Sequence, residues 1–166
     1  SDSVINFQNL KTIQVKKTSI EQITIVDGLP SDWIKKVVYH NGVLWVATYS
    51  NGIAKLTYGK AGYTVAKVFQ YKDGLTDALI NDMNIGPNGK LWFVTKSGTI
   101  GYFLNEKIKN LKQKLPVNVG IGTIIFDGNN VFLGTPGKGI WWSSIKEELV
   151  FKKLTGKKTL YSENIY

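Results

Sequence analysis

The sequence predicts an all-β fold built from a repeated four-stranded antiparallel unit. Three observations predict it. An apolar run behind a turn rich in Asn and Gly occurs three times, as "NGVLWVAT" (41–48), "NGKLWFVT" (88–95) and "GNNVFLGT" (128–135). A second phrase precedes each copy, as "DGLPSDWI" (27–34), "DGLTDALI" (73–80) and the shortened "LP" (115–116), with "LYSENIY" (160–166) opening a fourth unit. The matching leucines Leu29, Leu75, Leu115 and Leu160 are 46, 40 and 45 residues apart, and self-similarity at such a period marks a repeat architecture.

Within the first unit, the "GLPSDW" turn leads into a strand at 34–39, and a turn at Asn41-Gly42 leads into a second strand at 44–48. The turn "YSNG" (49–52) leads into a third strand at 53–58. The second unit repeats the order, with strands at 80–85, 91–95 and 99–103 separated by "GPNG" (86–89) and "KSG" (96–98). Short β-branched and aromatic runs between Gly-containing turns are hairpin signals. A fourth strand is expected in "YTVAKVFQYK" (63–72), in "ELVFKKL" (148–154) and, before the first unit, in "IEQITIV" (20–26). Four antiparallel strands in about forty residues make a propeller blade. The expectation is therefore a single β-propeller segment over 1–166, with repeats at 19–62, 63–104 and 105–147 and a partial one at 148–166. The first eighteen residues would supply a last strand of an earlier blade.

The second strand of a blade is buried on both faces, so it needs a continuous apolar run where a half-exposed strand would alternate. "LWVA", "LWFV" and "VFLG" are such runs. Trp45, Trp92 and Phe132 are the expected blade-to-blade packing residues, structural in role, each burying on the order of 150–250 Å².

On these residues the chain resembles the two-component regulator propeller repeat. "GLPSDWIKKVVYHNGVLWVATYSNGI" (28–53) and "GLTDALINDMNIGPNGKLWFVTKSGTI" (74–100) follow its Gly-Leu-Pro-Ser/Thr-Asn opening, apolar strand, Gly turn and Leu-Trp-Ile-Gly-Thr core. The departures are Ala47 and Val94 where the family carries Gly, Tyr39 and Gly86 where it carries Asp, and Phe132 in place of Trp. The resemblance implies a periplasmic, non-catalytic sensor segment of a two-component histidine kinase, in many relatives one that binds oligosaccharides. It implies a membrane helix and kinase elsewhere in the whole protein, so the membrane is reached only through that protein. The alternatives are a protein-interaction scaffold, or a propeller carbohydrate lyase or hydrolase.

Composition narrows the chemistry. No apolar run approaches the ~18 residues of a membrane span, and the Ser-Asp-Ser start has no basic n-region. The absence of cysteine excludes a disulfide framework, a thiolate zinc site and a cysteine nucleophile. The formal charge is +9, and all 21 basic residues are lysine. Arginine reads phosphates and base edges with a planar fork, whereas lysine is a mobile point charge. The lysine clusters "NEKIKNLKQKLP" (105–116) and "FKKLTGKK" (151–158) are thus expected as solvated strand and loop faces, adding attraction to anionic glycans and not binding nucleic acid.

His40 is the only histidine, so a histidine metal cluster or a serine triad is unavailable, and an exposed turn residue is expected. Asp27, Asp73, Asp77, Asp82 and Asp127 lie in or near turns, where Asp bonds its own backbone. No glycine-rich loop leads from a strand into a helix with Lys-Ser/Thr. Neither catalytic residues, nor a metal site, nor a cofactor is expected. The turns entering the first strands and those joining the second and third lie at one end of the propeller. Asp32, Trp33, Tyr49, Asn51, Asp77, Lys96, Ser97 and Lys138 are therefore the candidate ligand contacts, because a sugar wants an aromatic face and polar hydrogen-bonding groups in a concave site. The open strand edges of terminal blades invite pairing, so a homodimer through those edges is expected.

Overall fold

The computed structural model describes residues 22–112, 115–146 and 148–156. Among these residues twelve strands form three antiparallel four-stranded sheets, each in chain order. The first sheet holds β1 (Ile34–His40), β2 (Val43–Thr48), β3 (Ile53–Gly59) and β4 (Gly62–Phe69). The second holds β5 (Ile80–Ile85), β6 (Leu91–Thr95), β7 (Ile100–Leu104) and β8 (Lys107–Asn110). The third holds β9 (Thr123–Asp127), β10 (Asn130–Thr135), β11 (Gly139–Ser144) and β12 (Lys152–Lys153). The first strands pack on one another, β1 against β5 and β5 against β9. This is the blade arrangement, with β1, β5 and β9 innermost and β4, β8 and β12 at the rim.

Tight turns set the registers. Asn41 (φ 49°) and Gly42 (φ 78°) both adopt left-handed backbone, the requirement of a two-residue hairpin turn. Asn88 (φ 62°) and Gly89 (φ 67°) do the same before β6. The sheets are offset from the sequence repeats, since each takes its fourth strand from the beginning of the next unit.

Every residue of Leu91–Thr95 is buried, Trp45–Thr48 are buried in β2, and in β10 burial alternates, with Val131 and Leu133 inside. Alternate residues serve two different interfaces. Trp45 and Ala47 point toward the second sheet, where they meet Leu91, Phe93 and Phe103. Trp92 and Val94 point the other way, toward Ile124, Val131 and Leu133 of the third sheet. Trp45, Phe69 and Phe103 pack in tilted and edge-to-face pairs with ring centroids 4.8–5.9 Å apart, in the range aromatic pairs prefer. Phe132 departs from the expectation. By register it faces away from the second sheet, half-buried against Trp142 at 6.5 Å, on a surface that no other described sheet covers. The remaining small core, Leu29, Val46, Ala54 and Leu56, lies on the opposite outer face of the first sheet.

Three strand expectations change. Residues 22–24 are not in a strand, and Ile25–Asp27 form a 3₁₀ turn. Residues 20 and 21, the first eighteen residues and the fourth-unit phrase at 160–166 lie outside the described residues. The fourth strand of the first sheet stops at Phe69, because Tyr71–Asp73 form a second 3₁₀ turn. The two turns are built alike. The carboxylates of Asp27 and Asp73 accept from the backbone N–H of Thr24 and Gln70, at 2.9 and 3.0 Å. Gly28 and Gly74 then leave each turn at φ 100° and 103°, open to glycine at little cost. In the third sheet the fourth strand is only Lys152–Lys153 within the expected 148–154.

Candidate functional site at the loop end

The turns that enter the first strands and those that join the second and third strands share one end of the blades, held by main-chain hydrogen bonds. Tyr49 donates its N–H to the Trp33 carbonyl at 2.9 Å, and Lys96 donates to the equivalent Leu79 carbonyl at 2.9 Å. Each entering turn is shaped by a side chain two residues back. Ser31 Oγ accepts from Trp33 N at 3.1 Å, and Asp77 Oδ1 accepts from Leu79 N at 2.8 Å. These are the local turns that Ser and Asp favour.

The sequence candidates divide among the three sheets. Asp32 is exposed, and its Oδ1 accepts from the Ile25 N–H at 2.7 Å, tying the 3₁₀ turn to the first blade. Trp33 is 77% exposed and Tyr49 is 52% exposed. Asn51 donates from Nδ2 to the Pro30 carbonyl at 2.8 Å, so its amide braces the turn. On the second sheet Asp77 accepts also from Ser97 N at 2.9 Å, and Ser97 Oγ lies 3.1 Å from Thr95 Oγ1. Lys96 is exposed beside them. Lys138 stands apart on the third sheet, exposed, with its carbonyl accepting from Trp141 Nε1 at 3.2 Å. The structure thus brings Asp77, Lys96 and Ser97 together and leaves Lys138 separate.

Two grooves open at this end, one at each junction between sheets. The first, about 260 Å³, is lined by Ser50, Asn51, Gln70, Tyr71, Lys72 and Ala78. The second, about 340 Å³, runs between Ser97-Gly98 and the segment Leu115–Val119. Gln70, Tyr71 and Lys72 are not among the sequence candidates. Their signal is their place immediately before "DGL", which the 3₁₀ turn converts from strand to groove wall. Tyr71 is 64% exposed there.

The carboxylates of the turns that enter the first strands are committed to the fold. Asp27, Asp32, Asp73 and Asp77 each accept at least one backbone N–H. Asp82 corrects the turn reading: it is a buried strand residue of β5, 6% exposed. Its oxygens accept from Thr123 Oγ1 at 2.6 Å, Ile124 N at 3.0 Å and Met83 N at 2.9 Å, and Lys36 Nζ lies 3.0 Å away. His40 is likewise not an exposed turn residue. It ends β1, half-buried, with Nε2 enclosed and unpartnered, and it lies so close to the Gly89 turn of the next blade that a Cβ there would stand 3.1 Å from this nitrogen. Among the described residues no three His, Cys, Asp or Glu side chains converge as a metal site, and no helix is long and apolar enough to cross a membrane.

No family model matches the chain, and no curated protein matches it. Solved structures do. The extracellular domain of BT4673 from B. thetaiotaomicron, assigned to a one-component system in one structure and a hybrid two-component system in another, is 19% identical with a TM-score of 0.65. That match covers 84% of this chain and 19% of BT4673's domain. The extracellular domain of BT3049 from the same organism, also assigned to a hybrid two-component system, is 17% identical with a TM-score of 0.61, over 84% of this chain and 20% of that one. A catalytically inactive virginiamycin B lyase from Staphylococcus aureus is 17% identical with a TM-score of 0.55, over 76% of this chain and 43% of the lyase. The likeness is one of fold. The chain spans about a fifth of the length of the two extracellular domains.

Proposed function

We propose that this chain is a ligand-binding stretch of an extracytoplasmic propeller sensor in two-component signalling, and that it holds an oligosaccharide at the loop end. The observation that carries the reading is the pairing of exposed aromatics with a polar groove. Trp33, Tyr49 and Tyr71 keep half or more of their surface in water at the end where Asn51, Gln70 and Lys72 line a cleft between two blades. Large aromatic faces beside fixed hydrogen-bonding groups suit a sugar ring, which offers an apolar face and an equatorial rim of hydroxyls. The fold shared with extracellular domains assigned to hybrid two-component systems supports the sensor role and an extracytoplasmic setting.

The reading is one of binding without turnover. Glycosidic hydrolysis needs two carboxylates facing one bond across open space, and the loop-end carboxylates Asp32 and Asp77 are each engaged by backbone N–H groups. A glycan panel titrated against the chain, and against Trp33→Ala and Tyr71→Ala variants of unchanged thermal stability, tests the site. Loss of a bound glycan on either substitution is expected. Glycan binding that survives both, or affinity for polypeptides with none for sugars, would overturn it.

A further inference from the structure

We propose that the outer rim of the blades is a second surface, one that docks an acidic polysaccharide. It goes beyond the loop-end reading and does not rest on it. The observation is a cross-strand row that recurs in all three sheets. Trp45, Lys55 and Lys67 stand side by side across β2, β3 and β4. Trp92, Tyr102 and Lys109 do so across β6, β7 and β8, and Phe132, Trp142 and Lys152 across β10, β11 and β12. Each row ends at the rim in an exposed lysine. Lys107 and Lys153 add exposed charge to the same outermost strands.

These charges are largely uncompensated. Among the described residues the ion pairs are Lys36–Asp82 and Lys55–Glu106, so none of the three row-ending lysines is in an ion pair, although Lys67 Nζ lies 4.6 Å from the centre of the Phe69 ring. Glu148 lines the same cleft as Lys152 and is the acid that most nearly offsets it. A lysine on an edge strand also deters unwanted pairing, but that role needs no fixed register, whereas here the same register position is lysine three times.

The chemistry of the row selects the partner. A nucleic acid would be read by guanidinium forks, and the chain has no arginine; of the rows' aromatics, Trp45 and Trp92 are buried between blades, and the third row alone leaves a partly open aromatic pair, Phe132 and Trp142. A bilayer is flat, while the three lysines belong to successive blades arranged about an axis, so one plane meets one blade edge. A flexible polymer of uronic acids or sulfate esters can follow the curve and place a charge at each blade in turn. Lysine's mobile, hydrated ammonium suits such delocalised contact.

The test uses the whole chain and polygalacturonate as the probe, with binding measured across a sodium chloride series. Lys67→Gln/Lys109→Gln/Lys152→Gln is compared with the charge-matched Lys35→Gln/Lys138→Gln/Lys146→Gln, both checked for unchanged melting. The rim triple is expected to weaken binding roughly tenfold or more and flatten its salt dependence, while the control triple changes it by about twofold or less. Equal losses in both triples would reduce the effect to net charge and overturn the proposal, as would no binding at low salt. Duplex DNA or anionic phosphatidylserine vesicles that bind as tightly, with the same dependence on the rim triple, would overturn the choice of polysaccharide. Trp33→Ala leaves rim binding intact, which separates this surface from the loop-end site.

Discussion

Asp82 joins the three innermost strands through one carboxylate. It sits on β5, pairs with Lys36 of β1, and accepts from Thr123 and Ile124 of β9. Replacing it with alanine strands the Ile124 N–H and the Thr123 hydroxyl and leaves Lys36 without its counter-charge. We expect Asp82→Ala to cost about 2–4 kcal/mol by urea unfolding, because a buried group that loses its acceptor bears its full desolvation penalty. Asp82→Asn keeps an acceptor and should cost less. A loss in Asp82→Ala no larger than that of an exposed substitution would contradict this role. The sequence shows an Asp among turn signals, and turn chemistry is what its type suggests. Its partners lie 41 and 42 residues away, and no local spacing announces a contact across that distance. The glycine at 86 is legible only in three dimensions: a Cβ there would lie 2.5 Å from Trp92 Nε1.

At the scale of elements, the strands read most clearly are those with a local cause. The apolar runs, the Asn-Gly turns and the three-residue loops specify β2, β6 and their hairpins without reference to anything distant. The segments at 22–26 and 71–73 were less legible because their β-rich composition competes with a cap. Asp27 and Asp73 accept the backbone N–H three residues before them, and a left-handed glycine follows, so the chain turns where composition suggests extension. Tyr71 and Lys72 read as strand and not as groove wall for this reason. Between elements, Lys55 of β3 reaches Glu106 in the β7–β8 turn of the next blade. The Lys55 hydrogen bond, then its charge, with a smaller contribution from Lys67, holds the Glu106 carboxyl below its usual 4.5. A carboxyl lowered by folding contributes stability that is present above its unfolded value and is lost as pH falls through its folded value. The melting-temperature gap between the native chain and Glu106→Gln should therefore be constant near neutrality and close in acid below 4.5. Because Glu106 is exposed, about 1 M salt should also narrow the gap. A gap that widens on acidification would refute the pairing.

At the scale of the whole molecule, one repeat position meets two different environments. Trp45 packs into the second sheet and Trp92 into the third, both 9% exposed or less. Phe132 occupies the same place in β10 but faces outward over Trp142. In a stack of blades each unit contacts its neighbours, so stability is a sum of unit and junction contributions. Truncation at a junction should then cost far more than truncation at an open face. Trp92→Ala is expected to lose about 3–5 kcal/mol through the cavity it leaves, and Phe132→Ala roughly 1 kcal/mol in the same chain, since a half-exposed side chain gives up less burial. Chemical denaturation of the two variants at several protein concentrations tests this. Near-equal losses that do not depend on concentration would mean that more of the same polypeptide covers the Phe132 face. A Phe132 cost that grows with concentration would mean that a second copy covers it, and light scattering on Phe132→Ala would then show that copy released.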